Sequence, residues 1–255
     1  NVKNLRSHDR GRTIEVIRKS LDDAGYDFDP DHNERIIDAQ GYVPQHRERI
    51  FLVAFRKGIK FENQRFSLND VQIASSDSGP VLADILHYPD ELNPDHRFVD
   101  EAGRVKGRYV LSDHLWEYLQ SYAEKHRARG NGFGFSKFGP GDVARTLSAR
   151  YHKDGSEILI ARRGSSKPRR LTPRECARLM GFDEAGDVPF RLPEDVSDTQ
   201  LYRQLGNALV VPVVREIGKQ MRGFLAEALE SSRPRKRRVQ IPIKLREPTA
   251  ELVDA

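Results

Sequence analysis

The sequence predicts an α/β fold, and three observations carry that prediction. Residues Arg12–Ala24 place Ile14, Ile17, Leu21 and Ala24 at spacings of 3, 4 and 3, the apolar stripe of an amphipathic helix, and Gly25 closes it. Tyr26–Phe28 and Arg35–Ala39 follow as short strand candidates. Arg49–Phe55 (Arg-Ile-Phe-Leu-Val-Ala-Phe) is a near-continuous apolar run, the pattern of a strand buried on both faces. One helix with two or three such strands reads as the tail of an α/β sheet.

Further along, Asn63–Pro80 is polar and ends in Ser75-Ser76-Asp77-Ser78-Gly79-Pro80, a linker or turn signal. Val81–His87 is a candidate short helix or 3₁₀ turn. His114–Arg127 is a longer one, carrying Leu115, Trp116, Leu119, Tyr122 and Ala123. Val143–Tyr151 and Glu157–Ala161 read as two strands joined by a hairpin turn at Lys153-Asp154-Gly155.

Arg169–Phe182 is the most decisive local signal. Thr172 sits at an N-cap, Pro173 at the first helical position and Glu175 three residues past the cap, a capping box with a pre-organised first turn. Cys176, Leu179 and Met180 form its apolar face, and Gly181 stops it. Thr199–Leu205 predicts a short helix ending at Gly206-Asn207. Ala208–Leu229 predicts a long one with Val214, Ile217, Met221, Phe224/Leu225 and Ala228 on one face. Arg233–Arg238 is a basic run in a polar tail.

Composition narrows the function classes. The 255 residues are 37% hydrophobic and 32% charged, with no run approaching a membrane span and no visible signal peptide. One cysteine excludes an intrachain disulfide framework and a thiolate zinc site, and fits a reducing compartment. A net charge of +5 is a mild pointer to a polyanion. Position 1 is Asn rather than Met, and the sequence reads as a cut-out or truncated product.

Several patterns carry chemistry. In the extended Gln45-His-Arg-Glu-Arg49, Arg47 and Arg49 point to one side. They read either as a fixed donor cluster for an anion or carbonyl, or as surface ion-pair arginines near Glu48. Gly206-Asn207 reads either as a helix N-terminus with free amides or as an ordinary turn. The glycines between Gly130 and Gly134 precede no helix, so they are not a dinucleotide loop. Interleaved with Phe133 and Phe135 after Arg127 and Arg129, they fit a loop approaching DNA or a flexible connection. Arg145–Tyr151 bears donors on a predicted strand, which reads either as facing a groove or as an exposed sheet face, and Arg162, Arg163, Lys167, Arg169 and Arg170 gather charge as phosphate-contacting patches do. Cys176 reads as a small buried side chain rather than a nucleophile.

Taken in order, these blocks resemble the C-terminal part of bacterial DNA (cytosine-5) methyltransferases of the Dcm and EcoRII type. Asn1-Val2 resembles the end of a Glu-Asn-Val motif, and Gln45–Arg49 the Gln-x-Arg-x-Arg motif. Arg129–Phe135 with Arg145-Thr146-Leu147 is similar to the target recognition domain. Arg170–Phe182 is similar to the Arg-x-Leu-Thr-x-Arg-Glu motif, and Tyr202–Pro212 to the last motif. The resemblance spans about Asn1 to Gln220 and implies methyl transfer from S-adenosylmethionine to C5 of a cytosine flipped out of duplex DNA, in a CCWGG-like site where W is A or T. The family attacks C6 with a cysteine thiolate while a Glu interacts with N3, and the resulting enamine takes the methyl group.

The resemblance implies that Arg49 holds the cytosine O2 and that Arg47 supports the catalytic loop and phosphate. Gly206, Asn207 and Ala208 would lie at the methionine end of the cofactor; many relatives carry Ser where this chain has Ala208. Expected DNA contacts are Arg129, Gly130, Asn131, Gly132, Phe133, Arg145, Thr146, Leu147, Arg150, Arg169 and Arg170. No metal is implied. The Pro-Cys motif, the glycine-rich cofactor loop and the Glu before Asn1 are not among these residues, so the isolated chain is expected to be inactive. It would be a truncated methyltransferase, a recognition subunit needing a second polypeptide, or a DNA-binding module. The expected architecture is an incomplete Rossmann-like α/β methyltransferase domain (residues 1–62 and 197–231). A linker (63–80) leads to an inserted mixed α+β target recognition domain (81–196), and a basic polar tail (232–255) ends the chain. The implied location is the bacterial cytoplasm, at the nucleoid.

Overall fold

The computed structural model describes residues 1–59, 65–89, 91, 94–183 and 190–231. Helix α1 spans Arg12–Asp23 and buries Ile14. It is tied down by Arg18, which pairs at 2.8 Å with the fully buried carboxylate of Glu34. Strand β1 (Tyr26–Asp27) follows, then the single turn α2 (Pro30–Asn33), whose N-cap Asp29 accepts from the Asp31 amide. Strand β2 (Glu34–Asp38) pairs antiparallel with β3 (Glu48–Leu52), Ile36 opposite Ile50 and Ile37 opposite Arg49.

The apolar run 49–55 is not one strand buried on both faces. It breaks at Val53, whose amide turns to the Asn33 carbonyl, and resumes as β4 (Phe55–Arg56) against β1. Of residues 48–52 only Ile50 is buried. Its other edge is covered by the first two residues: Val2 bridges Arg49, and the Ile50 amide donates to the Asn1 carbonyl at 2.9 Å. The segment expected as a linker plugs into the core through Phe66, Leu68 and Val71.

Helix α3 (Asp113–Ala128) is capped by Ser112, whose side chain accepts from the Leu115 amide. A three-stranded sheet follows, β5 (Lys137–Phe138) parallel to β6 (Leu159–Arg162), which is antiparallel to β7 (Ser165–Arg170). This corrects the predicted hairpin. Residues 148–155 coil through successive turns around the buried Tyr151, so Asp154-Gly155 joins no strands. The hairpin lies one element later, between β6 and β7. Residues 144–146 hydrogen-bond to 44–46 instead, with Ala144 and Gln45 in a parallel bridge.

Helix α4 (Pro173–Leu179) forms as its capping box predicts. Thr172 accepts from the Glu175 amide at 3.1 Å, and the Glu175 carboxylate accepts from the Thr172 amide at 2.8 Å. Gly181, at φ +75, ends it and brings the next turn against Pro212, whose ring a Cβ would meet at 2.4 Å. Helix α5 (Asp198–Asn207) and the long α6 (Val211–Ser231) are the last elements among the described residues. The buried face of α6 is Val213, Ile217 and Phe224, with Val214 39% exposed. Ile217 and Phe224 face the core as the spacing predicts, with Met221 and Leu225 packed beside them; only Val214 differs, its inward place taken by Val213. The helix starts at Val211, pinned by its amide to the Met180 carbonyl, rather than at Ala208.

One apolar core runs through both halves, from Ile37 and Phe55 through Leu147, Tyr151 and Leu171 to Tyr202 and Phe224. A smaller cluster of Leu111, Leu119 and Leu159, with Trp116 and Phe135 against it, anchors α3. No helix among the described residues is long and apolar enough to cross a membrane. The basic run 233–238 lies outside the described residues.

Candidate functional site

The Gln45–Arg49 segment is where the halves of the chain meet. The Gln45 side chain is buried and spends its amide fully. Its Nε2 donates to the Leu179 carbonyl at 2.7 Å, and its Oε1 accepts from the Leu147 amide at 3.1 Å. Neither contact was legible from periodicity; only the motif spacing marks this glutamine.

Arg47 is 1% exposed. One terminal nitrogen donates to the Leu147 carbonyl at 2.7 Å, and the other to the carbonyls of Gly206 and Ala208, both at 2.8 Å. Burial, reinforced by the charge of Arg49, lowers its pKa to about 10, so it stays charged at neutral pH. This corrects its expected place at a phosphate: its terminal nitrogens face backbone carbonyls, and its buried Nε has no partner among the described residues. The Arg47 guanidinium is thus committed to the backbone carbonyls of Leu147, Gly206 and Ala208.

Arg49 is different. It is half-buried beside the first two residues, and among the described residues its guanidinium makes one hydrogen bond, to the Glu48 carbonyl at 2.8 Å. The Glu48 carboxylate pairs with Lys3 instead, which removes the reading of Arg49 as a surface ion pair. Burial lowers the Arg49 pKa. A guanidinium with unused donors in a partly desolvated position is suited to a carbonyl oxygen that gains negative charge.

Gly206-Asn207 is not a helix N-terminus. It is the last turn of α5, and the Ala208 amide closes on the Leu205 carbonyl. Gly206 is buried against residues 148–149, and a Cβ there would meet the Ser148 carbonyl oxygen and carbon at 2.4 Å. The carbonyls of Gly206 and Ala208 belong to Arg47. Asn207 alone projects an exposed polar side chain. Of the three expected cofactor residues, only Asn207 fits contact with an external ligand, and together they do not enclose one.

Two of the expected DNA contacts are corrected. Leu147 is fully buried in the core. Arg169 is buried in a two-pronged ion pair with Glu175, at 2.7 and 2.8 Å, so it ties β7 to α4. Arg170 is half-buried, its guanidinium 6.0 Å from the Tyr202 ring centre. Thr146 donates its hydroxyl to the His46 carbonyl at 2.5 Å. Arg129, Gly130, Asn131, Gly132, Phe133, Arg145 and Arg150 are exposed. Arg145 reaches the Ser136 hydroxyl at 3.2 Å, beside the end of the glycine–aromatic loop.

Cys176 is completely buried, and burial, reinforced by Glu175 and Glu157, pushes its thiol well above the ordinary value. It is not a thiolate at neutral pH.

Residues 1–223 match the model of the family described as C-5 cytosine-specific DNA methylase. The chain is 43% identical over 252 residues to a DNA-cytosine methyltransferase of Escherichia coli K12, with 90% of this chain and 50% of that protein aligned. It is 40% identical over 230 residues to the type II methyltransferase M.NlaX of Neisseria lactamica, covering 89% of this chain and 62% of that one. The chain thus spans about half the length of the E. coli relative. Its fold is similar to that of the S. pombe Dnmt2 methyltransferase, with a TM-score of 0.59 at 20% identity, covering 89% of this chain and 66% of that chain.

Proposed function

The chain belongs to the C-5 cytosine-specific DNA methylase family, and from that membership we propose that it forms the base-holding wall and the recognition surface of a DNA (cytosine-5) methyltransferase. Its substrate in this reading is a cytosine flipped from duplex DNA, in a CCWGG-like site. The methyl donor is S-adenosylmethionine, which supplies the methyl group, with Asn207 as this chain's contact to it.

Arg49 is the single observation that carries the reading. Its spare donors would meet the cytosine O2 and stabilise the negative charge that develops on the ring when C6 is attacked. Partial burial strengthens that interaction, because fewer waters compete for the donors. Arg47 holds the backbone around it. The exposed loop 129–133, with Arg145 and Arg150, would read the duplex.

Cys176 does not supply the attacking sulfur, so in this reading the nucleophile comes from residues outside these 255. Methyl transfer from labelled S-adenosylmethionine to a CCWGG duplex tests the proposal, with the chain alone and with a polypeptide carrying a Pro-Cys motif. The expected result is no turnover alone and turnover together. Turnover by the chain alone would contradict the assignment of the nucleophile. No turnover in either mixture would contradict the methyl-transfer reading.

A further inference from the structure

Helix α3 presents an outward stripe that the site described above does not use. Its inner face is fixed by Leu115, Trp116 and Leu119 against the small core. On the outside, rings follow one another along the helix. Tyr118 and Tyr122 have centroids 6.0 Å apart, and Tyr122 and His126 4.3 Å. The row continues off the helix, with His126 and Phe133 at 5.4 Å. Tyr118 is 54% exposed and Phe133 66%. These are large, stiff side chains held in a line facing solvent.

The charge on this stripe has one sign. At 100° per residue, Lys125 and Arg129 fall on the same face as Tyr118 and Tyr122, while Glu117 and Glu124 fall on the flank beyond. Among the described residues neither Lys125 nor Arg129 is in an ion pair. Asp113, at the start of the helix, is already paired with Lys167 at 2.9 Å. Two unneutralised cations and two phenolic donors along about three helical turns match a row of phosphates better than an apolar protein face.

We propose that the Tyr118–Tyr122–Lys125 stripe of α3 is a second, sequence-independent DNA contact. It would grip the phosphate backbone of the duplex flanking the target, next to the loop that reads bases. The inference rests on the reading of this chain as a DNA-binding methyltransferase part and adds a surface to it. Phosphate contacts set register and contribute salt-dependent affinity without reading sequence. The stripe continues into Arg129 and Phe133, so a backbone held on α3 would enter the loop already aligned.

The test is equilibrium binding of the chain to a short cognate duplex, and to one extended by about 10 base pairs, one helical turn, on each side. Wild type is compared with the combined variant Tyr118→Phe, Tyr122→Phe, Lys125→Ala, which alters only outward-facing side chains. Wild type should bind the extended duplex more tightly than the short one, and the variant should lose that gain. The variant should also bind about tenfold more weakly, equally on cognate and scrambled sequence, with a log–log salt slope shallower by about 1 for the one cation removed. Unchanged affinity and slope in the variant would overturn the stripe and leave the proposed function standing. A loss confined to the cognate sequence would overturn the backbone assignment. Failure of wild type to bind either duplex would overturn both this inference and the DNA-binding reading beneath it.

Discussion

The Arg47 guanidinium donates to the Gly206 carbonyl at 2.8 Å, joining residues 159 positions apart in the chain. The same side chain holds Leu147 and Ala208. A single buried cation therefore sets the distance between the strand that carries Arg49, the segment around Leu147, and the turn that carries Asn207.

Arg47→Ala should leave three inward-facing carbonyls without their donor. Each such loss costs about 1–3 kcal/mol, so a destabilisation of about 3 kcal/mol or more is expected in urea unfolding. Arg47→Lys should recover only a part, because an ammonium lacks the planar fork that reaches three acceptors. Full stability in Arg47→Lys would show that charge alone, and not geometry, matters here.

Gly206→Ala should be nearly as damaging despite its small size. The added methyl would meet backbone atoms of Ser148 and Ala149 at 2.4–2.5 Å, and backbone cannot rotate away as a side chain can. A cost of about 1–3 kcal/mol is expected, typical of overpacking. Thermal unfolding measures it, and an unchanged midpoint would mean that the two segments sit further apart than described.

Acid should destabilise the fold through His87. The ring is buried, Nδ1 lies 2.7 Å from the Glu91 carboxylate, and Nε2 3.1 Å from the Thr172 hydroxyl. Burial pulls its pKa from 6.5 down to about 4; Glu175 opposes this while Arg178 and Arg169 reinforce it. Between those values the unfolded chain binds the proton more readily than the folded one. The stability is therefore fully present above about pH 6.5 and is lost as pH falls towards 4, by about 3 kcal/mol over the window. Unfolding curves for wild type and His87→Gln across that range should converge at the acid end. Parallel curves would exclude His87 as the cause.

Much of the fold was legible in local chemistry. The α4 cap followed from Thr172, Pro173 and Glu175 alone, and α1 and α3 from apolar spacing. What local rules missed was decided by long-range partners. Residues 143–147 have strand-like composition, yet their hydrogen bonds go to 44–46, and no turn signal announces a partner so distant. Arg169 and Arg47 look like surface cations because a sequence does not show which carboxylate or carbonyl will bury them. Asp154-Gly155 is a sound turn signal, but turns also occur inside coils. At the site, Arg49 was picked out by its motif, while neither local reading of Gly206-Asn207, a helix start or an ordinary turn, anticipated that α5 runs through it.

Arg49→Ala should separate binding from chemistry. It removes a donor needed as charge develops, so in an active assembly turnover should fall about 10²–10³-fold with DNA affinity little changed. An equal loss of affinity would make Arg49 a binding residue instead.

The central claim is that this chain holds the base and the duplex but does not supply the nucleophile. The most direct test is to mix the chain with S-adenosylmethionine and a CCWGG duplex carrying 5-fluorocytosine at the target, then analyse it under native and denaturing conditions. The account predicts a complex on the native gel and no species that survives denaturation. A denaturation-stable protein–DNA adduct from the chain alone, abolished by Cys176→Ala, would contradict it.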